Sequence, residues 1–481
     1  MSLRPSALAF ALVLLLVPAV RAQQTPPAPG PPRPLTLPAP AERTLSNGLR
    51  VLVVERPGLP LVTVQLLVRS GAEVDPPGRD GAAQLTAALL TQGTATRTAP
   101  EIAQAMESLG ATLNTGAGWD ASSLSTTVMT PNLDPALALL ADAALRPAFA
   151  DEELERLRAQ TLDGLQVELA DPSAVATRAA TRLVYGTGPY GHPAGGTPAS
   201  VERLTRDDVV ALHRAYYRPD NAILVFSGAL TAADAFALAE RHFGAWARPA
   251  GAVPQPALTL PTATATATRV IVIDMPEAGQ AAVVAAHPAP TRTDPAYVRG
   301  LVTNSVLGGG YSSRLNLEVR IRRGLSYGAF SDLDYRRGPG LFYAATQTKN
   351  ESGDEVVAVI LTEFGRLGAE GMTAAELTPR KAALVGGFAR GLETSAGVAG
   401  QFASLALYGI GLDATNRFVS DVEAVTSADV QAFAAAHLDA PGTVVVVAGN
   451  AAEFLDALRI AHPDVEVIPA TELNLDSPTL R

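Results

Sequence analysis

The chain has 481 residues, a formal charge of −10 and no cysteine. That length calls for two or more domains, and the missing thiols exclude disulfides, thiolate metal sites and a cysteine nucleophile. An acidic chain without a basic run is a poor partner for nucleic acid.

Residues 1–22 predict an export signal: Arg4, the apolar run ALAFALVLLLVPAV, and Val-Arg-Ala ahead of Gln23. The run is short for a membrane span, and no later stretch reaches the ~20 apolar residues needed to cross a bilayer. The expectation is an exported, soluble protein, periplasmic in a Gram-negative cell; the alternative is a retained N-terminal anchor. Residues 23–42 contain QTPPAPGPPRPLTLPAP and predict an extended Pro-rich linker with no core-forming pattern. A second composition break, residues 249–268, separates a domain over 43–248 from one over 269–470, leaving a tail of 471–481.

The two stretches repeat one pattern. The first opens LRVLVVERPGLPLVTVQLLVRSGAE, two β-like runs around a turn, then a helical segment from Asp80. The second opens RVIVIDMPEAGQAAVVAAHPAP, followed by the helical DPAYVRGLVTNSVLG. Amphipathic helices follow, at 151–168 and 373–395, and each half closes on a β run before glycine, AILVFSGAL and TVVVVAGNA. A β-β-α opening and an αβ close, met twice, predict a duplicated α+β fold of two homologous domains.

Five stretches carry a family resemblance: LSNGLRVLVVE (45–55), GRDGAAQLTAALLTQGT (78–94), YYRPDNAILVFSG (216–228), VLGGGYSSRLNLEVRIRRGLSYGAFS (306–331) and VVVVAGN. Over about residues 43–470 the chain resembles the M16 metallopeptidases, the pitrilysin and insulinase group, and most of all their two-domain bacterial and mitochondrial-processing-peptidase branch. The resemblance implies a half-clamshell of two domains, each a mainly antiparallel sheet flanked by helices.

Active members of that family carry His-x-x-Glu-His on the helix after the second strand. Histidines four apart share a helix face and can both hold zinc, and the glutamate can take a proton from the metal-bound water. Here Gln84 stands at the first histidine, Ala87 at the base and Ala88 at the second histidine. A third carboxylate ligand would come from TLDGLQVELADP, where Asp163 or Gly164 falls nearest. The six histidines, His192, His213, His242, His287, His437 and His462, offer no local ligand pair, and no Gly-x-Ser-x-Gly elbow is present. His192 reads as a turn residue. No metal is expected on this chain.

In EVRIRRGLSYGAF a helix carrying Arg320 is expected to stop at Gly324, followed by a strand with Leu325, Tyr327 and Ala329 on one face. Locally, Arg320 reads as a solvated helix charge and Tyr327 as a half-buried strand aromatic. The resemblance implies more: an Arg/Tyr pair that faces a zinc helix across a chamber, binds peptide carbonyls and stabilises an oxyanion. The loop LGGGYSSRL, with Gly308, Gly309 and Gly310, reads locally as a turn before a helix, with Ser312 or Ser313 near the cap. By resemblance it is a candidate substrate loop.

Some bacterial members of the family divide the work between two homologous chains, one with the zinc motif and the other with the Arg/Tyr pair. The expectation is therefore a non-catalytic, substrate-binding subunit of an exported heterodimeric zinc endopeptidase acting on unfolded peptides, with zinc in the partner. The competing expectations are a family-derived binding or assembly protein without a protease partner, and an autonomous peptidase.

Overall fold

The computed structural model describes residues 36–260, 268–438 and 442–481; the expected export signal, most of the first linker and residues 261–267 of the second lie outside them. Six strands of the N-terminal half, β1 (Ala41–Thr44), β2 (Arg50–Glu55), β3 (Leu61–Val68), β4 (Asn114–Ala117), β5 (Ser122–Met129) and β6 (Ala222–Gly228), form one sheet in the order β1-β2-β6-β3-β5-β4. Six of the C-terminal half, β7 (Arg269–Asp274), β8 (Ala281–Ala289), β9 (Ala329–Asp334), β10 (Gly340–Thr348), β11 (Val444–Gly449) and β12 (Glu466–Pro469), form another in the order β12-β7-β11-β8-β10-β9.

The inner five strands of the two sheets correspond one to one. In each, the closing strand runs parallel to the opening one (β6 with β2, β11 with β7), while the remaining inner pairs are antiparallel. Only the outer edge differs: β1 arrives from upstream and pairs antiparallel, whereas β12 arrives from downstream and pairs parallel. Both sheets are mixed, and the predicted α+β duplication is the observed architecture.

Central strands such as β6 (AILVFSG) and β11 (VVVVAG) are buried at every residue because both faces of each sheet are covered. One face of each packs on helices of its own half. The other is covered by a helix from the opposite half. Among the helices that place the site, α1 (Ala82–Leu89), α2 (Asp151–Leu169) and α3 (Pro172–Tyr185) follow in the N-terminal half, and α4 (Tyr297–Leu307) and α5 (Ser395–Leu407) in the C-terminal half. Val175, Ala176, Ala179 and Ala180 of α3 pack on Ile271, Ile273, Val284 and Val446 of the C-terminal sheet. Reciprocally, Ala399, Ala403 and Ala406 of α5 pack on Leu52, Leu67, Ile223 and Val225 of the N-terminal sheet. Alanines at one-turn spacing let each helix backbone approach a flat sheet, so an exchange of helices welds the halves.

Both ends of the described chain are packed against the fold. The first linker does not run free to residue 42: β1 begins at Ala41, Leu37 is buried beside Leu392 and Phe402, and Asn416 bonds both the Leu37 N–H and its carbonyl at 2.9 Å. The last residues pack likewise. Leu475 and Leu480 are buried against α3 and the C-terminal sheet, and the Asp476 carboxylate accepts from the Thr197 hydroxyl at 2.8 Å.

Candidate functional site

Helix α1 starts after Gly81, whose φ of +94° favours glycine and leaves no side chain to cap the helix. The cap comes from upstream: the Asp75 carboxylate accepts from the N–H groups of Gly81 and Ala83, both at 2.8 Å. Burial nevertheless drives the Asp75 carboxyl well above the usual carboxylate range.

On this helix Gln84 is exposed, Ala88 is half-buried, and Ala87 is fully buried. Gln84 opens on a cavity of about 420 Å³ that both halves line, with Trp119, Glu168, His192, Arg178 and Arg336 among its walls. Its amide reaches toward the Ala117 carbonyl of the edge strand β4 at 3.5 Å. From the third-ligand stretch it is Glu168 that reaches the cavity, one helical turn beyond Gly164 on the same face of α2.

The polar groups of this cavity already hold one another. Arg178 clasps Glu168 through Nε at 2.9 Å and Nη2 at 2.5 Å, and Arg336 clasps Asp334 at 2.9 and 2.6 Å. His192 lies in a bend and is buried, with Nε2 3.0 Å from the Ala72 carbonyl and its ring edge-on to Trp119. An amide, two alanines and an arginine-bound carboxylate do not fit a zinc ion. Among the described residues no group of three or more His, Asp or Glu side chains could hold one.

A second cavity, of about 590 Å³, shares the Thr177 wall of α3 with the first and runs along the C-terminal sheet past Gln280, Phe330, Gln347 and Lys349 to Tyr327. Tyr327 is 91% exposed. The expected strand over 325–328 is not formed: β9 begins at Ala329, and Leu325, Tyr327 and Ala329 do not share a face, being half-buried, exposed and buried. Side chains replace the missing ladder. Thr346 donates to Gly328 O at 2.7 Å, and Thr348 donates to Leu325 O at 2.7 Å, so alternate residues of β10 pin the loop that presents Tyr327.

Arg320 lies on a wide helical turn, Leu317–Arg322, of π type. Gly324, with φ of +65°, ends it as expected, sending its N–H to Arg320 O at 3.2 Å. The Arg320 guanidinium is not in the lining of the Tyr327 cavity; it sits over the ring of Tyr311, 5.0 Å from the centroid. The glycine loop is tightly packed. A Cβ on Gly308 would fall 2.1 Å from Ser331 N, and one on Gly309 would fall 2.7 Å from Ser305 Cα; Gly310 has open space apart from Arg380 at 3.5 Å. Asn304 of α4 seals the outer edge of β9, accepting from the Ser331 hydroxyl at 2.7 Å and donating to its carbonyl at 3.1 Å.

Around these cavities the halves meet through charge. Asp120 accepts from the Tyr190 hydroxyl at 2.5 Å, the Arg337 N–H at 2.7 Å and the Tyr408 hydroxyl at 3.1 Å. Glu73 accepts from the Gly71 N–H at 2.7 Å and lies 3.3 Å from Arg337, yet burial pushes its carboxyl up to about 8. One arginine that also serves the carbonyls of Arg69 and Asp120 does not offset that loss of water. None of Trp119, Glu168, Arg336 or Tyr311 was legible as a site residue; the turn signal Arg-Arg-Gly-Pro-Gly at 336–340 was the one local hint.

The profile described as Insulinase (Peptidase family M16) matches residues 50–197, and that described as Peptidase M16 inactive domain matches residues 203–384. An uncharacterized zinc protease of Mycobacterium bovis is 30% identical over 74% of this chain and 81% of its own length. One of Mycobacterium leprae is 28% identical over 73% and 79%. The crystal structure of a peptidase M16 inactive domain from Pseudomonas fluorescens superposes with a TM-score of 0.79 at 29% identity, covering 85% of this chain and 98% of that one. A Helicobacter pylori protease at 22% identity shares the fold, with a TM-score of 0.80 over 86% and 100% of the two chains. With the two profiles together matching more than half of the chain and a relative 30% identical over 74% of it, the chain belongs to peptidase family M16.

Proposed function

We propose that this chain is a non-catalytic, peptide-binding subunit that pairs with a homologous zinc-bearing chain to make one exported metalloendopeptidase acting on unfolded peptides. The observation that carries the reading is the state of α1. The helix is formed and capped by Asp75, while Gln84, Ala87 and Ala88, which by resemblance stand at the zinc-motif positions, supply neither ligands nor base. The chain itself then holds no zinc, and the metal belongs to the partner. Arg320 and Tyr327 remain, and the relatives named as zinc proteases supply the reaction class. The two cavities that meet at Thr177 suit an extended peptide, and the outer strand β4 offers a backbone edge beside Gln84.

The expected export signal makes the periplasm the place to test this. Mass spectrometry of what co-purifies with the tagged mature chain from its own periplasm is expected to find, in equal amount, a homologue bearing His-x-x-Glu-His. Recovery of the chain alone, or within an unrelated assembly, overturns the split-protease reading in favour of a family-derived binding protein.

A further inference from the structure

The segment from Gly310 to Phe330 concentrates exposed apolar side chains that a stable fold does not need in water: Tyr311 (66% exposed), Ile321 (49%), Tyr327 (91%) and Phe330 (47%). Among them stands one cation without a counter-charge. Arg322 pairs with Glu318, and Arg323 pairs with Glu355 at 3.0 Å. Arg320, between these elements and half-buried, pairs with no carboxylate among the described residues; its partner is the face of Tyr311. A guanidinium laid on an aromatic face keeps its in-plane N–H donors free, and that fork matches a carboxylate. In the neighbouring cavity Lys349 is the one charged side chain of the lining, and Glu351 lies 3.8 Å from it, so Arg320 is the unpaired cation of the segment among the described residues.

The loop explains how Tyr311 is held. Gly308 and Gly309 pack too closely for any other residue, Asn316 donates to the Tyr311 carbonyl, and Arg380 donates to the Ser312 hydroxyl at 2.6 Å. The backbone of residue 311 is therefore fixed while its ring stays in water, under Arg320.

We propose that Tyr311 is a positioning residue that holds Arg320 as an uncompensated cation, and that Arg320 thereby selects peptides carrying an acidic side chain. The glycine loop serves recognition by carrying Tyr311, not by touching substrate with its own glycines. This deepens the peptide-binding reading above and rests on it.

The test is calorimetric titration of the mature chain, free of any partner, with a short unstructured Gly/Ser/Ala peptide bearing one glutamate and with its glutamine twin. The glutamate peptide is expected to bind roughly tenfold more tightly, the difference between a charge-assisted and a neutral hydrogen-bonded pair. Tyr311→Phe keeps the ring face and the preference. Tyr311→Ala and Tyr311→Met, both at a water-exposed position, lose most of it, and Arg320→Lys loses part because an ammonium has no fork. Equal affinity for the twins in the wild-type chain, including no measurable binding of either, overturns the proposal, as does an undiminished preference in Tyr311→Ala. Because the titration needs no partner, its failure is distinct from failure to co-purify a zinc-bearing homologue.

Discussion

The guanidinium carbon of Arg336 lies 4.3 Å from the centroid of the Trp119 ring, and this contact joins the C-terminal half to the N-terminal half. Tyr190 and Tyr185 complete a cage around the same group at 4.8 and 5.1 Å, and Asp334 neutralises it from its own strand. Arg336 is 3% exposed, so it is a buried cation paid for by three rings and one carboxylate.

Replacing Arg336 with alanine leaves a void among the rings and strips Asp334 of its partner. The expected loss of unfolding free energy is about 3 kcal/mol, chiefly from the void and the lost ring contacts of the buried guanidinium, since Asp334 is itself 39% exposed. Urea unfolding followed by tryptophan fluorescence checks it, since Trp119 reports the cage directly. A loss below about 1 kcal/mol, the size of an exposed pair, would show that the cage contributes little.

The end of the chain makes a second prediction. Removing residues 474–481 exposes the surfaces under Leu475 and Leu480 and deletes the Asp476 bond to Thr197. Two buried leucines alone are worth about 4 kcal/mol. The truncated chain is expected to unfold at lower urea and to be cut by protease near α3, where the intact chain resists. Equal resistance of the two would mean that the segment is not part of the stable unit.

What sequence revealed and what it hid follow the range of the interactions. The repeated β-β-α opening and αβ close was legible because apolar runs such as VLVV and VVVV, with turn residues between them, report locally on buried strands, whereas the order of strands within each sheet was not. The exchange of α3 and α5 was not, since an alanine-lined helix face carries no address for the sheet it covers. At the site, Gln84, Ala87 and Ala88 stood out only through the family resemblance, since an amide and two alanines on an apolar helix carry no signal of their own. Glu168, one helical turn beyond Gly164, lines the cavity but was not singled out, because sequence does not fix which turn of a helix faces a cavity. Leu325–Gly328 was expected as strand from its alternation, but threonines 18 and 23 residues away in sequence hold it as a loop.

Rebuilding the metal site tests the reading of α1. Gln84→His with Ala88→His places two imidazoles on one face, at an exposed and a half-buried position. The pair alone is expected to bind zinc weakly, because Glu168 is held by Arg178. Adding Gly164→Glu, where a Cβ meets nothing within 4 Å, is expected to raise affinity at least tenfold by supplying a free carboxylate. Zinc competition against a chromogenic chelator measures each step. Stoichiometric tight zinc on the unaltered chain would instead show a site assembled from distant residues.

Glu73 gives a pH dependence whose sign is fixed by burial. Its carboxyl is raised from 4.5 to about 8 in the folded chain, so above pH 4.5 the unfolded chain releases this proton while the folded chain retains it. The unfolded state then binds fewer protons, and this group's contribution to stability falls as pH rises from about 5 to about 8. Glutamine at this position keeps an acceptor for the Gly71 N–H and removes the titration. Relative to wild type, Glu73→Gln is therefore expected to gain stability steadily across that window and to level off above it. Urea midpoints at several pH values measure the difference. If the two proteins run parallel from pH 5 to 8, Arg337 holds Glu73 ionised throughout and the burial argument is wrong.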